Sequence, residues 1–168
     1  MMTGIQSVNN HFVAYHAITL LFLFLFAVYD FRHHKIRNIP LSAFLIWCLF
    51  SIPITSFTES VTPWQAAFFH SLPGFFCGLL TILAAALFTQ GGIGGGDIKF
   101  VALLGIIYGS NGLLTILLIS CTIILAHYGL LKLSKKNLLF AIPFAPYLFA
   151  GCTLYMLLKL HCQTTLYF

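Results

Sequence analysis

The chain holds three carboxylate side chains in all, Asp30, Glu59 and Asp97. Glu59 lies in 57–65, a stretch without basic residues. Asp30 and Asp97 each adjoin a long apolar run, where an ionisable group is costly unless it is paired, functional or near enough to a helix end to reach water. Taken singly, either is a plain interfacial aspartate. Brought within a few ångströms of each other, two carboxyls cannot ionise together, and the pair shares one proton. The ionised member then takes a proton from water while the protonated member polarises a carbonyl oxygen. That is hydrolytic chemistry needing no metal, no cofactor and no covalent intermediate, and Asp30 and Asp97 are its candidate catalytic pair.

Asp97 follows Gly91-Gly92-Ile93-Gly94-Gly95-Gly96. Glycine costs about 1 kcal/mol against alanine in a helix, so this run predicts irregular backbone. Near a bilayer, such backbone persists only where protein or a watery cavity satisfies its polar groups. Glycine also lets a second backbone approach closely. Gly94, Gly95 and Gly96 are therefore expected to edge a cleft suited to an extended peptide. The competing reading is a flexible linker, which has no need of an aspartate at its end.

Other hydrolytic designs are missing from the chain. It has no H-E-x-x-H for a zinc protease and no G-x-S-x-G or G-x-S-G serine motif. It also lacks a phosphate-cradling G-x-x-x-x-G-K-[ST]. His33 and His34 are adjacent and point apart, a poor start for a metal site, while His11, His16, His70, His127 and His161 stand alone as packing or interfacial residues. Cys48, Cys77, Cys121, Cys152 and Cys162 contain no C-x-x-C and read as small packing residues. No metal site is expected.

The elements that must position the aspartates are set by composition. The chain is 60% apolar and 7% charged, with 18 phenylalanines. A soluble domain is usually about a quarter charged, so these side chains need lipid as their solvent. Candidate spans are 12–30, 39–56, 66–89, 97–109, 112–132 and 138–160, against the roughly 20 residues a helix needs to cross. The fourth is short, either a half-buried helix or a span shielded by its neighbours. The first lacks a basic n-region and a cleavage site, and reads as a retained span rather than a signal peptide. The expectation is an all-α integral membrane protein of six transmembrane helices, forming one domain over 1–168.

Charge orients it. Arg32, Lys35, Arg37, Lys99, Lys132, Lys135 and Lys136 thread to one side, leaving Lys159 opposite. The basic side is the cytoplasm, so both termini face out. The clusters lie between apolar runs and suit anionic lipid headgroups rather than a nucleic acid. The same threading places Asp30 and Asp97 at one membrane depth, on the cytoplasmic face. Gly74-x-x-x-Gly78 and Gly105-x-x-x-Gly109 read as close-packing motifs. Lys99, two residues beyond Asp97, should point to a different helix face; headgroup anchoring and a part in the site both stay open for it. Trp47 and Trp64 fit packing or an interfacial belt.

Three segments carry a resemblance. Gly94-Gly95-Gly96-Asp97-Ile98-Lys99-Phe100, with Ala102-Leu103-Leu104-Gly105 and Gly109 after it, is similar to a G-x-G-D-x-K stretch. Asp30-Phe31-Arg32-His33-His34-Lys35-Ile36-Arg37-Asn38 resembles a D-x-R-x-x-x-I-P-N loop, with Arg37 where proline is usual. Ile142-Pro143-Phe144-Ala145-Pro146-Tyr147-Leu148 resembles an I-P-[FY]-[GA]-P-[FY]-L segment. Together, in order, they resemble the type 4 prepilin peptidases, which belong with the GxGD-type membrane aspartic proteases. The resemblance implies that Asp30 and Asp97 cut the short basic leader from a prepilin or pseudopilin at the cytoplasmic face of a bacterial inner membrane. Type IV pilus, type II secretion and conjugative substrates all remain open, as does the oligomeric state. Only about eight residues join the first two expected spans, so the cytoplasmic insert of family members that also methylate the new N-terminus has no room here. The rival reading is a non-enzymatic transport or secretion-assembly subunit using Asp30 and Asp97 as proton or cation sites.

Overall fold

The computed structural model describes residues 2–33, 38–58, 64–89, 93–133 and 143–165. Among them are five helices and no strand: α1 (Met2–His33), α2 (Asn38–Thr58), α3 (Trp64–Phe88), α4 (Gly95–Leu133) and α5 (Ala145–Thr165). Glu59, the loop residues His34, Lys35 and Arg37, the glycines Gly91 and Gly92, Lys135, Lys136 and Ile142 lie outside the described residues.

The expected fourth and fifth spans are two helical arms of α4 that meet at Gly109, whose backbone is non-helical at φ 65° and ψ 179°. That conformation is essentially restricted to glycine. The contacts on either side show that the chain turns back there. In the first arm, 95–108, Phe100 meets Phe26 of α1 and Tyr108 meets His16, so this arm runs opposite to α1. Helix α5 also runs opposite to α1, with Ala145 beside Asp30 and Phe149 beside Phe24. In the second arm, 110–133, the partners of α5 come in reverse order: Gly112 by Tyr155, Ser120 by Gly151, His127 by Tyr147. The second arm therefore returns towards Asp30. The boundary expected between 109 and 112 thus falls on a reversal of direction at Gly109.

Helix α3 packs along both arms through small residues. A Cβ on Gly74 would strike the carbonyl oxygen of Gly105, and one on Gly105 would strike that of Gly74. One turn further, a Cβ on Gly78 would lie 2.8 Å from Leu113 Cδ2 and 2.8 Å from the Val101 oxygen. Gly74 thus packs on both Gly105 and Gly109, while Gly78 packs on Val101, Ala102 and Leu113. Such close backbone approach supplies dispersion contacts, the main attraction available between helices in lipid. On the other side of α4, Ser120 and Gly151 bring α5 equally near.

The core lies between α1, α2, α5 and the first arm of α4, around Leu23, Phe26, Phe44, Cys48, Phe100, Leu104, Leu148 and Cys152. The outer face is as apolar as the core: Phe31 is 71% exposed, Leu118 70% and Leu125 72%. An aqueous protein does not sustain that surface. Windows in three of the described helices, Tyr15–His33, Ser71–Phe88 and Gly95–Leu133, are long and apolar enough to cross a membrane, and Asn38–Phe50 is a shorter apolar helix. The protein is an all-helical membrane protein. At the end remote from Asp30, polar groups turn inward: Trp47 Nε1 donates to Thr19 Oγ1 at 3.1 Å, and His16 stacks on Tyr108 with ring centroids 5.7 Å apart.

Candidate functional site

Asp30 is three residues from the C-terminal end of α1, and it is buried. Its partner is a backbone group at the start of another helix: Ala145 N–H donates to Asp30 Oδ2 at 3.0 Å. Ala145 opens α5, so this N–H has no acceptor within its own helix. The next residue, Pro146, has no N–H to satisfy. A carboxylate at a helix N-terminus is also favoured by the helix dipole. The Pro143-Phe144-Ala145-Pro146 segment thus ends a loop, starts α5 and presents one free donor to Asp30.

Asp97 sits in the first turn of α4 and is half-buried. Its own N–H donates to the Gly94 carbonyl at 3.0 Å. The carboxylate folds back to take a hydrogen bond from the Gly94 backbone. Gly94 is thereby the N-cap, and Asp97 plays the reciprocal part of a capping box at the third helical position. A Cβ on Gly94 would lie 3.3 Å from Asp97 Oδ2, so any larger residue there presses on the carboxylate.

The glycine run behaves differently from its expectation as wholly irregular backbone. Gly95 and Gly96 are the first residues of α4. The first helical turn requires no internal N–H bonding, so glycine is cheapest there, and the buried residues from Phe100 onward hold the helix that follows. Gly95 is exposed, and a side chain on it would meet nothing within 4 Å. Gly96 is half-buried, and Lys99 is exposed on another face of the helix from Asp97.

The two carboxylates converge. Asp97 feels the charge of Asp30 directly. What brings them together is a floor of phenylalanines one turn deeper. Phe26 precedes Asp30 by four residues, and Phe100 follows Asp97 by three, spacings that share a helix face. Their rings lie 4.8 Å apart, and Phe44 of α2 packs 5.7 Å from each. All three are buried, with Phe44 and Phe100 fully so. The backbones of α1 and α4 stay apart, and the gap between them at the aspartate end is set by two aromatic side chains.

Two contributors went unassigned in the sequence: the Ala145 N–H and the phenylalanine floor. The first had a signal in Pro143 and Pro146, which mark a helix start. The second had one in apolar residues a single turn inward from each aspartate. Tyr29 and His33 stack at the rim, centroids 4.3 Å apart, with His33 Nδ1 3.2 Å from the Tyr29 carbonyl oxygen.

Among the described residues, membrane helices with two carboxyls at one end, one of them on a G-x-G-D turn, define a narrow class. The chain belongs to the type IV leader peptidase family, whose profile matches residues 17–130, more than half of its length. It is similar to the prepilin leader peptidase/N-methyltransferase of Bacillus subtilis strain 168, at 32% identity over 111 residues. That match covers 63% of this chain and 43% of the relative, so the chain spans less than half of the protein it resembles. No solved structure matches.

Proposed function

We propose that this protein is an aspartic endopeptidase that removes the short basic leader from prepilin or pseudopilin-like substrates, with Asp30 and Asp97 as its catalytic pair. One observation carries the reading: carboxylates from separate helices come near enough for the charge of Asp30 to bear on Asp97, Asp30 being held by a helix N-terminus and Asp97 by a glycine N-cap. Water between them loses a proton to the ionised carboxyl as its oxygen bonds to the scissile carbonyl carbon. The protonated carboxyl gives its proton to the carbonyl oxygen. Collapse of the tetrahedral intermediate breaks the C–N bond; the departing amine takes the proton that the first carboxyl drew from water, and the second carboxyl recovers its proton from the intermediate's hydroxyl.

The glycine-edged opening at Gly94, Gly95 and Gly96 receives the extended peptide, with Gly95 facing it because no side chain of the protein occupies that space. Lys99 stands outside the pair, at the headgroup level. The chain works as one domain of six membrane helices, α4 contributing two through its reversal at Gly109. Among the described residues Arg32, Lys99 and Lys132 lie towards the aspartate end and Lys159 towards the other. By the positive-inside rule this puts the dyad at the cytoplasmic face of the inner membrane and both termini outside. Only residues 34–37 separate α1 from α2, which supports peptidase action without N-methylation.

The test is co-expression with a prepilin bearing a short basic leader, followed on a gel. Asp30→Asn and Asp97→Asn should each stop processing while the protein stays in the membrane. Normal processing by either variant overturns the assignment. Proton flux in proteoliposomes, lost in both variants without any cleavage by the parent, would establish the transport reading instead.

A further inference from the structure

The histidine at 127, read from sequence as standing alone, has a partner. Its Nδ1 is hydrogen-bonded to the hydroxyl of Tyr147, and the rings lie 5.9 Å apart at 40°. His127 is on the returning arm of α4, and Tyr147 is in the first turn of α5. Two residues before it in that turn is Ala145, whose N–H holds Asp30. Both side chains are at least partly accessible, so core burial does not explain the pairing.

We propose that His127 and Tyr147 are positioning residues for the catalytic pair, their hydrogen bond pinning the first turn of α5 so that the Ala145 N–H stays on Asp30. The inference rests on the peptidase reading of Asp30. The start of α5 must satisfy two neighbours at once. Asp30 approaches it from α1, and the second arm of α4 lies on another side. A helix end frays readily unless something outside the helix holds it. Ala145 has only a methyl group to hold it, and Pro146 donates nothing from its backbone. Tyr147 is thus the first residue of α5 whose side chain can reach across to α4. With the ring proton on Nε2, Nδ1 accepts from the Tyr147 O–H. The tie then passes from α4 through the first turn of α5 to α1, and closes on Asp97, at the start of the same α4. The spacing of the two carboxyls depends on a loop of contacts that α4 both begins and ends.

The experiment uses the full chain in lipid nanodiscs, with His127→Leu, His127→Asn, Tyr147→Phe and the double variant His127→Leu/Tyr147→Phe. Asparagine sets an amide oxygen where Nδ1 stood and keeps the acceptor. Hydrogen exchange is read at the Ala145 amide, and steady-state cleavage is read on a prepilin-like peptide. Exchange should rise several-fold in His127→Leu and Tyr147→Phe, and return to the parental rate in His127→Asn. kcat should fall about three- to tenfold in the first two, the effect of one modest hydrogen bond, with KM unchanged. The double variant should be no worse than either single, since both remove one interaction. Additive losses, unchanged exchange, no rescue by asparagine, or faster exchange with an unaltered kcat would each overturn the proposal. If the parent chain cleaves no prepilin peptide, the peptidase reading fails, and with it the catalytic role given to this tie. The exchange pattern then still decides whether the tie itself exists.

Discussion

At the scale of the residue, the two aspartates are unlike in how they are held, and the difference sets what nearby substitutions should do. Asp30 depends on a backbone N–H from a distant helix. Asp97 depends on its own helix turn and on the absence of a side chain at Gly94. Gly94→Ala is therefore expected to lower kcat, because the new methyl presses on the carboxylate at 3.3 Å. Gly95→Ala meets nothing in the protein. Its melting temperature should match the parent, and any loss should fall on KM, where a substrate backbone is excluded. Equal effects of the two substitutions on kcat would contradict this division. Both aspartates stood out as candidates in the sequence because the chain has so few carboxylates. The Ala145 donor was not, because a backbone amide has no residue type to announce it.

At the scale of the element, the helices stand as close as they do because glycine permits it. Gly105→Ala would drive a methyl into the Gly74 carbonyl and part α3 from α4. Overpacking of that kind costs about 1–3 kcal/mol, to be read as a lower midpoint of thermal or denaturant unfolding in detergent. Gly109→Ala acts differently. It forces a Cβ onto a backbone at φ 65°, with a cost of about 1–3 kcal/mol for a residue in that region. The loss at Gly109 should persist when neighbouring side chains are trimmed, whereas a strain due to packing would ease. Hydropathy anticipated α2 and α3 to within a few residues, since long apolar runs bounded by polar residues leave little choice, whereas α1 begins ten residues before the expected span 12–30. Hydropathy placed a boundary near Gly109, where the two arms of α4 meet. It could not see that the reversal between the two helices turns on the single residue Gly109. The glycine run before Asp97 misled in the opposite sense: propensity argued against helix at Gly95 and Gly96, and tertiary burial from Phe100 onward outweighed it.

At the scale of the whole molecule, the design is a ring of contacts round an aromatic floor. Phe26, Phe44 and Phe100 fix the depth of the site, and the start of α5 closes it. The outer surface is left to lipid. The proposed orientation rests on the distribution of positive charge and is open to direct test. A cysteine in place of Lys99 should react with a membrane-impermeant maleimide only after cells are opened, and one in place of Lys159 should react in intact spheroplasts, each measured as the increase over the parent. The reverse pattern would turn the molecule over and place the aspartates outside. The helical, membrane character of the chain was the most legible feature in the sequence, because the exclusion of charge from a hydrocarbon core acts on every residue at once. The relative arrangement of α1 and α4 was not, because their approach is set by aromatic side chains that composition counts without locating.

The central claim is that one hydrolytic centre is made of two carboxyls acting as a unit. It is tested most directly by kcat/KM for a prepilin-like peptide against pH, for the purified protein and for Asp30→Asn and Asp97→Asn. A dyad predicts a bell whose two limbs belong to the pair, and no measurable cleavage at any pH once either carboxyl is an amide. A variant that keeps one limb of the curve and a substantial fraction of the parental rate would show that a single aspartate suffices, and would contradict the account.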